Sequence, residues 1–306
     1  MKTLLSLILI TALFSCSSSS SSEVVETSKG KLQGYEKNGV NYFFGIPYAE
    51  APIGELRWQP PKPVKAWQGI KSVNALGSSC MQPTNIGNSA FLDLMLDGYG
   101  LAWYEKLIIK GFSFFAPTLT AGDFSEDCLF LNIISPKDAE NLPVMFWIHG
   151  GAGRFGSGGD SIYLTSRFAE KDVILVTINY RLGSLGWFAH PVLSAESENG
   201  VSGNYGSLDQ IEALKWVKSN ISNFGGDPNN VTIFGESAGG QAVGTLLSSP
   251  LSKELFHKAI SQSGSGILGT RALKDDSRNK SAEAIGIELA EYFGVDNDET
   301  TLLQLR

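Results

Sequence analysis

Near the start of the chain, the apolar residues form short runs separated by polar turns. Three of these runs are typical of β-strands, at Val24–Thr27, Lys31–Tyr35 and Val40–Gly45. The pair Asn38-Gly39, which separates the last two runs, is a strong signal for a tight hairpin turn. This stretch predicts an antiparallel portion at the beginning of the folded domain.

From about residue 127 the pattern changes to longer apolar runs that alternate with helical segments. Continuous apolar runs at Leu129–Ile134, Val144–Ile148 and Val173–Ile178 are expected of strands that are buried on both faces. Two further strands are predicted at Val231–Phe234 and Lys258–Gln262. The chain therefore has enough strands for one central sheet.

Helical segments lie between and after these strands. The run Ser207-Leu208-Asp209-Gln210 has the spacing of a capping box and predicts the start of a helix with one apolar side. Two more helices are predicted at Ala238–Ser248 and Ala282–Phe293. The alternation predicts an α/β fold, with a mostly parallel central sheet and helices on both faces. No boundary divides residues 23–306, so we expect one domain there.

The first 22 residues differ from the rest of the chain. A positive charge at Lys2, an apolar run from Leu4 to Phe14 and the pair Ser15-Cys16 resemble a bacterial lipoprotein signal, in which Cys16 becomes the lipidated first residue. The run is too short to span a bilayer. We expect residues 1–22 to be a signal followed by a flexible serine-rich tether. The protein would be exported, either as a membrane-anchored lipoprotein of the periplasm or outer membrane or, without lipidation, as a secreted protein.

Charge and composition exclude some partners. The formal net charge is −7, and the basic residues do not cluster, so nucleic acid is not an expected partner. The three histidines are scattered and no Cys/His spacing suits a metal ion, so we expect no metal and no cofactor.

The cysteine count supports export. If Cys16 carries a lipid, Cys80 and Cys128 remain as an even pair in an oxidising setting. A bridge between them would close 128 − 80 = 48 residues of chain. Loop entropy would then contribute about 4 kcal/mol. Two buried free thiols are the alternative, and we favour the disulfide.

A serine motif stands at a strand-to-helix junction. Ser237 lies in the run Gly235-Glu236-Ser237-Ala238-Gly239, between the predicted strand Val231–Phe234 and the helix beginning at Ala238. Gly-x-Ser-x-Gly in this context is typical of a nucleophile elbow, which holds the serine Oγ above the edge of a sheet. A serine that only caps the helix is the alternative. We predict that Ser237 is a nucleophile.

A glycine-rich turn follows the strand Val144–Ile148. The run His149-Gly150-Gly151-Ala152-Gly153 would expose backbone N–H groups, which in α/β-hydrolases form part of the oxyanion hole. We predict that the N–H groups of Gly151, Ala152 and Ala238 are the donors. Phosphate binding is the alternative, but the signatures of phosphate-binding loops are missing. His149 is expected to orient this loop rather than to act in catalysis.

Several longer strings resemble the type-B carboxylesterases, the family that includes cholinesterases. The two most specific are Glu126-Asp127-Cys128-Leu129-Phe130-Leu131-Asn132 and Phe234-Gly235-Glu236-Ser237-Ala238-Gly239-Gly240. The other matching strings are Gly45-Ile46-Pro47-Tyr48-Ala49, Asn179-Tyr180-Arg181, Gly203-Asn204-Tyr205-Gly206, Leu208-Asp209-Gln210, Asn223-Phe224-Gly225-Gly226-Asp227-Pro228 and Ser261-Gln262-Ser263-Gly264-Ser265. The resemblance runs from about residue 23 to the last residue and implies an α/β-hydrolase fold.

The resemblance also implies specific contacts. It implies the Cys80–Cys128 disulfide and ion pairs of Arg57 with Glu126 and of Arg181 with Asp209. The loop between the two cysteines is longer than in many members of the family. Its added part, residues 91–117, is rich in apolar side chains. It would form a lid, a membrane-facing patch or extra helices packed on the core.

The triad acid and base are not identified. In this fold the order along the chain is serine, acid, histidine, and His257 is the only histidine after Ser237. In the family, the position of His257 comes well before the triad histidine, and His190 precedes the serine. We expect neither to be the base, so the C-terminal part of the fold would be missing from this chain.

The sequence therefore predicts a serine hydrolase that cleaves carboxylic esters of small molecules through an acyl-enzyme on Ser237. The 306-residue chain would be an inactive N-terminal fragment of a longer esterase. The alternative is a non-catalytic binding or adhesion module, or a degenerate remnant, of the same fold. A lipase or thioesterase would carry the same elbow. Which ester is cleaved does not follow from the sequence.

Overall fold

The computed structural model describes residues 19–83, 96–97, 101–115, 123–264, 271–296, 298 and 300–306. The expected signal and Cys16 lie outside the described residues. The added segment 91–117 is described at 96–97 and 101–115 only.

The described strands occur mostly in the two regions that the sequence pattern predicts. They are β1 (Ser20–Ser21), β2 (Val25–Glu26), β3 (Lys31–Gln33), β4 (Tyr35–Lys37), β5 (Val40–Pro47), β6 (Ile70–Ser72), β7 (Ser79–Cys80), β8 (Phe124–Ser125), β9 (Phe130–Pro136), β10 (Leu142–Ile148), β11 (Ile174–Ile178), β12 (Gly226–Glu236) and β13 (Lys258–Gln262).

The described helices are concentrated in the second half of the chain. They are α1 (Trp103–Phe115), α2 (Gly183–Trp187), α3 (Pro191–Glu196), α4 (Tyr205–Asn220), α5 (Ala238–Ser248), α6 (Ala282–Tyr292) and α7 (Thr301–Leu305). No helix in the described ranges is both long and apolar enough to cross a membrane.

An eight-stranded mixed sheet forms the centre, in the order β1-β4-β5-β9-β11-β10-β12-β13. Neighbours from β1 to β11 in this order are antiparallel, and β11, β10, β12 and β13 are parallel to one another. The tight turn predicted between β4 and β5 is confirmed. Lys37 pairs with Val40 across Asn38 and Gly39, whose φ values of 55° and 77° suit a hairpin turn.

The two faces of the sheet are covered differently. On β10, Val144, Phe146 and Ile148 belong to one core, and Met145 and Trp147 to the other. The first core includes apolar side chains of α4 and α5. The second is covered by three partly buried side chains, Tyr163, Leu164 and Phe168. Among the described residues, the expected helical cover is therefore seen on the first face. The second is covered by a segment that ends in a 3-10 helix at Ala169–Lys171.

The start of α4 differs from the prediction. The capping box placed the N-cap at Ser207, but the helix begins at Tyr205, after Asn204 in the left-handed conformation with φ 57°. The predicted inward side is confirmed, because Ile211, Leu214, Val217 and Ile221 are buried in the core and Leu208 packs against it. The helix lies deep in the fold, so polar residues such as Asp209 and Gln210 are buried as well as Leu214.

The chain enters the sheet before the end of the serine tract. Ser20–Ser21 form β1 and pair with β4. Ser22 is buried, and its hydroxyl accepts a hydrogen bond from the N–H of Gly34 at 3.0 Å. Three serines of the expected tether therefore belong to the folded domain.

Candidate active site

The parallel strands β10, β11, β12 and β13 end at one edge of the sheet, because parallel strands run in the same direction. The glycine-rich turn follows β10, Tyr180 and Arg181 follow β11, and Ser237 follows β12. In open α/β sheets, ligands bind outside the carboxyl ends of the strands. The residues predicted from the motifs therefore lie at the edge where a site is expected.

Ser237 sits at the junction of β12 and α5 in a strained conformation. Its φ of 56° and ψ of −119° lie in a region that residues with a side chain rarely adopt. The neighbouring strand holds it there, because the Ser237 N–H donates to the carbonyl oxygen of Gln262 at 2.9 Å. The Ser237 carbonyl in turn accepts from the N–H of Gln241 at 2.9 Å. In the part of the chain that the structure describes, no side chain forms a hydrogen bond with the Ser237 Oγ.

Helix α5 approaches β10 closely at Gly239. A Cβ atom on Gly239 would lie 2.0 Å from the carbonyl oxygen of Ile148 and 2.9 Å from that of His149. Only glycine fits between these carbonyls. The missing side chain brings the N-terminus of α5 next to the end of β10.

The glycine-rich turn lies beside Ser237. A Cβ atom on Gly150 would lie 3.3 Å from the Ser237 Cβ and 2.8 Å from the carbonyl oxygen of Glu236. The next three residues, Gly151, Ala152 and Gly153, all have positive φ, at 100°, 55° and 67°. The turn is therefore tightly curved, and it begins directly beside the serine.

Backbone donors are available on both sides of the serine. No described residue accepts a hydrogen bond from the N–H of Gly151 or Ala152. Ala238 is the first residue of α5, and the first N–H groups of a helix have no acceptor inside it. These are the three donors predicted for the oxyanion hole, and the structure places two of them on the turn and one on the helix.

Internal bonds fix the shape of the glycine-rich turn. The carbonyl of Gly151 accepts from the N–H groups of Arg154 and Phe155 at 2.9 and 3.0 Å. The carbonyl of Gly153 accepts from the N–H of Gly183 at 2.7 Å. The backbone of this turn is therefore held in place before any substrate arrives.

His149 is buried underneath the turn. Its Nδ1 lies 2.8 Å from the carbonyl oxygen of Gly150. The Tyr180 hydroxyl donates to the carbonyl oxygen of His149 at 2.7 Å. Burial lowers the pKa of His149 to about 4, although the bond to Gly150 opposes this shift. The ring is therefore neutral at pH 7, and the Nδ1 then donates to Gly150.

The other two histidines are occupied elsewhere. His257 is exposed, and its Nδ1 accepts from the N–H of Val231 at 3.2 Å. Val231 precedes Ser237 by six residues of β12, which is about 20 Å along an extended strand. His190 is the N-cap of α3, and its Nδ1 accepts from the N–H of Val192 at 3.3 Å. Burial lowers the pKa of His190, although Glu283 opposes this shift.

The two predicted ion pairs are confirmed. Arg181 forms a bidentate pair with Asp209 at 2.8 and 2.7 Å, and both side chains are buried. Arg181 also donates to the carbonyl oxygen of Gln59 at 2.9 Å. Arg57 forms a bidentate pair with Glu126, with both bonds at 2.6 Å, and these side chains are about a quarter exposed. The pairs fasten loops to the carboxyl edge of the sheet.

The disulfide between Cys80 and Cys128 is present, with an S–S distance of 2.04 Å. Two residues further on, Gln82 clamps the end of the glycine-rich turn. Its Oε1 accepts from the N–H of Gly156 at 2.9 Å, and its Nε2 donates to the Gly156 carbonyl at 3.0 Å. Gln82 thus attaches the turn to the segment that carries β7, and the disulfide attaches that segment to Cys128, just before β9.

Sequence analysis missed two of these contacts. Gln82 gave no signal, because its partner Gly156 lies 74 residues away. Gln262 appears in one of the family strings, but the pattern alone did not indicate that its carbonyl holds the nucleophile.

In the described ranges, no group of three or more His, Cys, Asp or Glu side chains is close enough to hold a metal ion.

Comparison with known proteins gives consistent matches. The profile of the Carboxylesterase family matches residues 21–304. Fumonisin B1 esterase from Sphingopyxis macrogoltabida is 45% identical over 87% of this chain and 43% of its own length. Para-nitrobenzyl esterase from Bacillus subtilis is 40% identical over 87% of this chain and 48% of its own length.

Solved structures of esterases also match this chain. A Geobacillus stearothermophilus carboxylesterase, EST55, superposes with a TM-score of 0.73 and 40% identity, and the match covers 92% of this chain and 51% of that one. A PNB esterase gives a TM-score of 0.73 at 37% identity, over 93% and 51% of the two chains. The predicted α/β-hydrolase fold is thereby confirmed. The chain spans about half the length of the curated relatives it matches.

Proposed function

The chain belongs to the carboxylesterase family, and from this premise we propose that it supplies the nucleophile and oxyanion hole of an enzyme that hydrolyses carboxylic esters of small molecules. The Ser237 Oγ attacks the acyl carbon, and the alcohol leaves with the proton that the serine gives up. Water then attacks the acyl-enzyme, releases the carboxylic acid and restores the serine.

One observation carries this proposal. Gly150 lies so close to Ser237 that a Cβ on it would be 3.3 Å from the serine Cβ. Gly151 and Ala152 follow Gly150 directly in this turn, which supports the proposal that their N–H groups act together with that of Ala238. An oxyanion formed at the acyl carbon would need donors there, and each donor contributes about 3–4 kcal/mol to transition-state stabilisation.

We also propose that the triad acid and base lie outside these 306 residues. Among the described residues, no histidine forms a hydrogen bond with the Ser237 Oγ: His149 lies under the glycine-rich turn, His190 caps α3 and His257 bonds Val231. His257 is further excluded by its distance of about 20 Å along β12. Without its base, a serine hydrolase loses roughly 10⁶-fold in kcat. The isolated chain is then nearly inactive.

Export is proposed on the basis of the leader. The lipoprotein-like string ending at Cys16 and the Cys80–Cys128 disulfide both suit an oxidising compartment. The protein would be a membrane-anchored lipoprotein if Cys16 is modified and a secreted protein if it is not.

A fluorophosphonate probe, which labels activated serines, tests the function. Source cells are labelled, and the protein is captured with an antibody against the exposed loop at residues 198–201. We expect a labelled band larger than 32.9 kDa, the mass of this chain, which disappears in Ser237→Ala and remains in Ser248→Ala. Ser248 is a suitable control because its hydroxyl bonds only within α5, to the Gly244 carbonyl.

The other outcomes contradict separate parts of the proposal. A band labelled at 32.9 kDa through Ser237 would mean that the base lies within this chain. Protein that is present but unlabelled would favour a binding module or a degenerate remnant.

A further inference from the structure

In its first two turns, helix α1 exposes four large apolar residues, and its charged residues there are less exposed. Trp103, Tyr104, Leu107 and Ile108 are 76%, 53%, 63% and 66% exposed. They follow the i, i+1, i+4, i+5 spacing of a single helix face. We call these four residues the α1 face. An exposed patch of four large apolar side chains on one helix face is unusual for a surface that contacts only water.

The charged residues of α1 are less exposed than this face, and Lys110, which follows Leu107 by three residues, is half-buried. Glu105 is half-buried, and its carboxylate accepts from the N–H of Ala102 at 2.8 Å. The Lys106 side chain is 29% exposed and forms an ion pair with Asp97 at 2.6 Å. The polarity of α1 is therefore inverted relative to an ordinary surface helix, whose charged side points outward.

The chemistry of the α1 face suits the boundary between lipid and water. Trp and Tyr are enriched at that boundary, where amphipathic rings sit among the headgroups, and aliphatic residues reach the acyl chains. Trp103 and Tyr104 lie edge to face, with ring centroids 6.0 Å apart, at the beginning of the helix. Leu107 and Ile108 continue the same face by one turn.

The length of α1 indicates the manner of contact. Its 13 residues extend about 20 Å, which is shorter than the roughly 30 Å hydrocarbon core of a bilayer. The helix is therefore too short to cross a membrane and long enough to lie along its surface.

We propose that the α1 face inserts into the interfacial layer of a phospholipid membrane. The start of the chain favours a membrane over a protein partner. Its leader resembles a lipoprotein signal ending at Cys16, and β1 begins at Ser20. Three residues between a lipidated Cys16 and the sheet would reach about 14 Å at most. A domain tethered this closely stays next to the bilayer, so lipid is the nearest apolar phase for an exposed apolar face.

A fluorescent label on the helix tests this contact without relying on catalysis. In the full chain carrying Cys16→Ser, Ile108→Cys is labelled with a polarity-sensitive dye while the Cys80–Cys128 disulfide stays oxidised. Vesicles of phosphatidylcholine and phosphatidylglycerol are added. We expect the emission to shift to shorter wavelength and to be quenched by lipids that carry brominated acyl chains.

A matched label provides the control. Glu198→Cys places the same dye at an exposed, charged residue of the loop after α3, and its emission should not change. This comparison separates insertion of α1 from attachment of the chain through its apolar leader. As a second variant, Leu107→Ser should weaken vesicle binding by roughly tenfold, because a leucine loses its burial in lipid.

Three results would overturn the proposal. The first is an unchanged dye signal at residue 108 on vesicles, and the second is an equal change in both dyes, which would indicate non-specific adsorption. A shift at residue 108 that needs no lipid and grows with protein concentration would show that a second copy covers the face.

Discussion

The imidazole of His149 lies nearly flat on the phenol ring of Tyr180, with ring centroids 4.4 Å apart and an angle of 18° between the planes. The Tyr180 hydroxyl donates to the carbonyl oxygen of His149, and the His149 Nδ1 bonds the next carbonyl, that of Gly150. A peptide group is planar, so fixing the Gly150 carbonyl also fixes the direction of the Gly151 N–H. The stacked pair thus orients a proposed oxyanion donor.

Removing the Tyr180 hydroxyl should destabilise the domain. Tyr180→Phe leaves the buried carbonyl of His149 without this donor, and an unsatisfied buried acceptor costs about 1–3 kcal/mol. Urea unfolding of the variant should show this loss in the free energy of unfolding. Tyr163→Phe is the control, because no described residue forms a hydrogen bond with its half-buried hydroxyl. Equal losses in both variants would mean that the His149 bond contributes nothing particular.

Burial of neutral His149 should make the domain less stable in acid. Its pKa is about 4 in the folded protein and about 6.5 when unfolded, so the unfolded chain binds the additional proton between these values. The contribution of neutral His149 to the free energy of unfolding is complete above pH 6.5. It decreases as the pH falls to about 4 and is absent below that pH. The full contribution of this group is about 3 kcal/mol.

Urea unfolding at a series of pH values measures this effect. His149→Gln should flatten the dependence between pH 6.5 and 4, because the titrating group is gone. His257→Gln removes an exposed histidine instead and should keep the slope. If His149→Gln and the parent protein lose stability in parallel, His149 is not the group responsible.

The two ion pairs should differ in their importance to stability. Asp209→Ala leaves the guanidinium of Arg181 buried and unpaired, which costs about 3–5 kcal/mol. Glu126→Ala breaks a pair whose side chains are about a quarter exposed, and the expected loss is about 1 kcal/mol or less. The free energies of unfolding of both variants give the comparison. A larger loss for Glu126→Ala would mean that burial does not set the ranking.

The sequence predicted the elements whose signals are local. Helix α5 and strand β13 have the predicted bounds, Ala238–Ser248 and Lys258–Gln262. The reason is that strand periodicity and the small residues of the elbow lie within a few positions of one another. The tight turn at Asn38-Gly39 was predictable for the same reason, since both residues readily adopt positive φ.

The contacts that complete the site were not predictable from such patterns. The hydrogen bond from Tyr180 to His149 spans 31 residues, and the clamp of Gln82 on Gly156 spans 74. These pairs depend on which strands lie side by side, and periodicity along the chain does not contain that information. The early start of α4 has a similar origin, because Asn204 adopts a left-handed conformation that the capping-box spacing does not reveal.

Strain at the nucleophile leads to a last prediction, in which a loss of function accompanies a gain in stability. Ser237 has φ 56° and ψ −119°, a conformation that costs a residue with a Cβ about 1–3 kcal/mol. Ser237→Gly relieves this strain, although glycine also gives the unfolded chain more freedom, which offsets about 0.5–1 kcal/mol of the gain. We expect Ser237→Gly to exceed Ser237→Ala by about 1 kcal/mol in the free energy of unfolding.

Ser237→Ala is the matched control, since it removes the Oγ but keeps the Cβ and therefore the strain. Both variants should lose fluorophosphonate labelling. If Ser237→Ala proved as stable as Ser237→Gly, the backbone at this turn would hold no strain, and the fold would present the serine without any loss of stability.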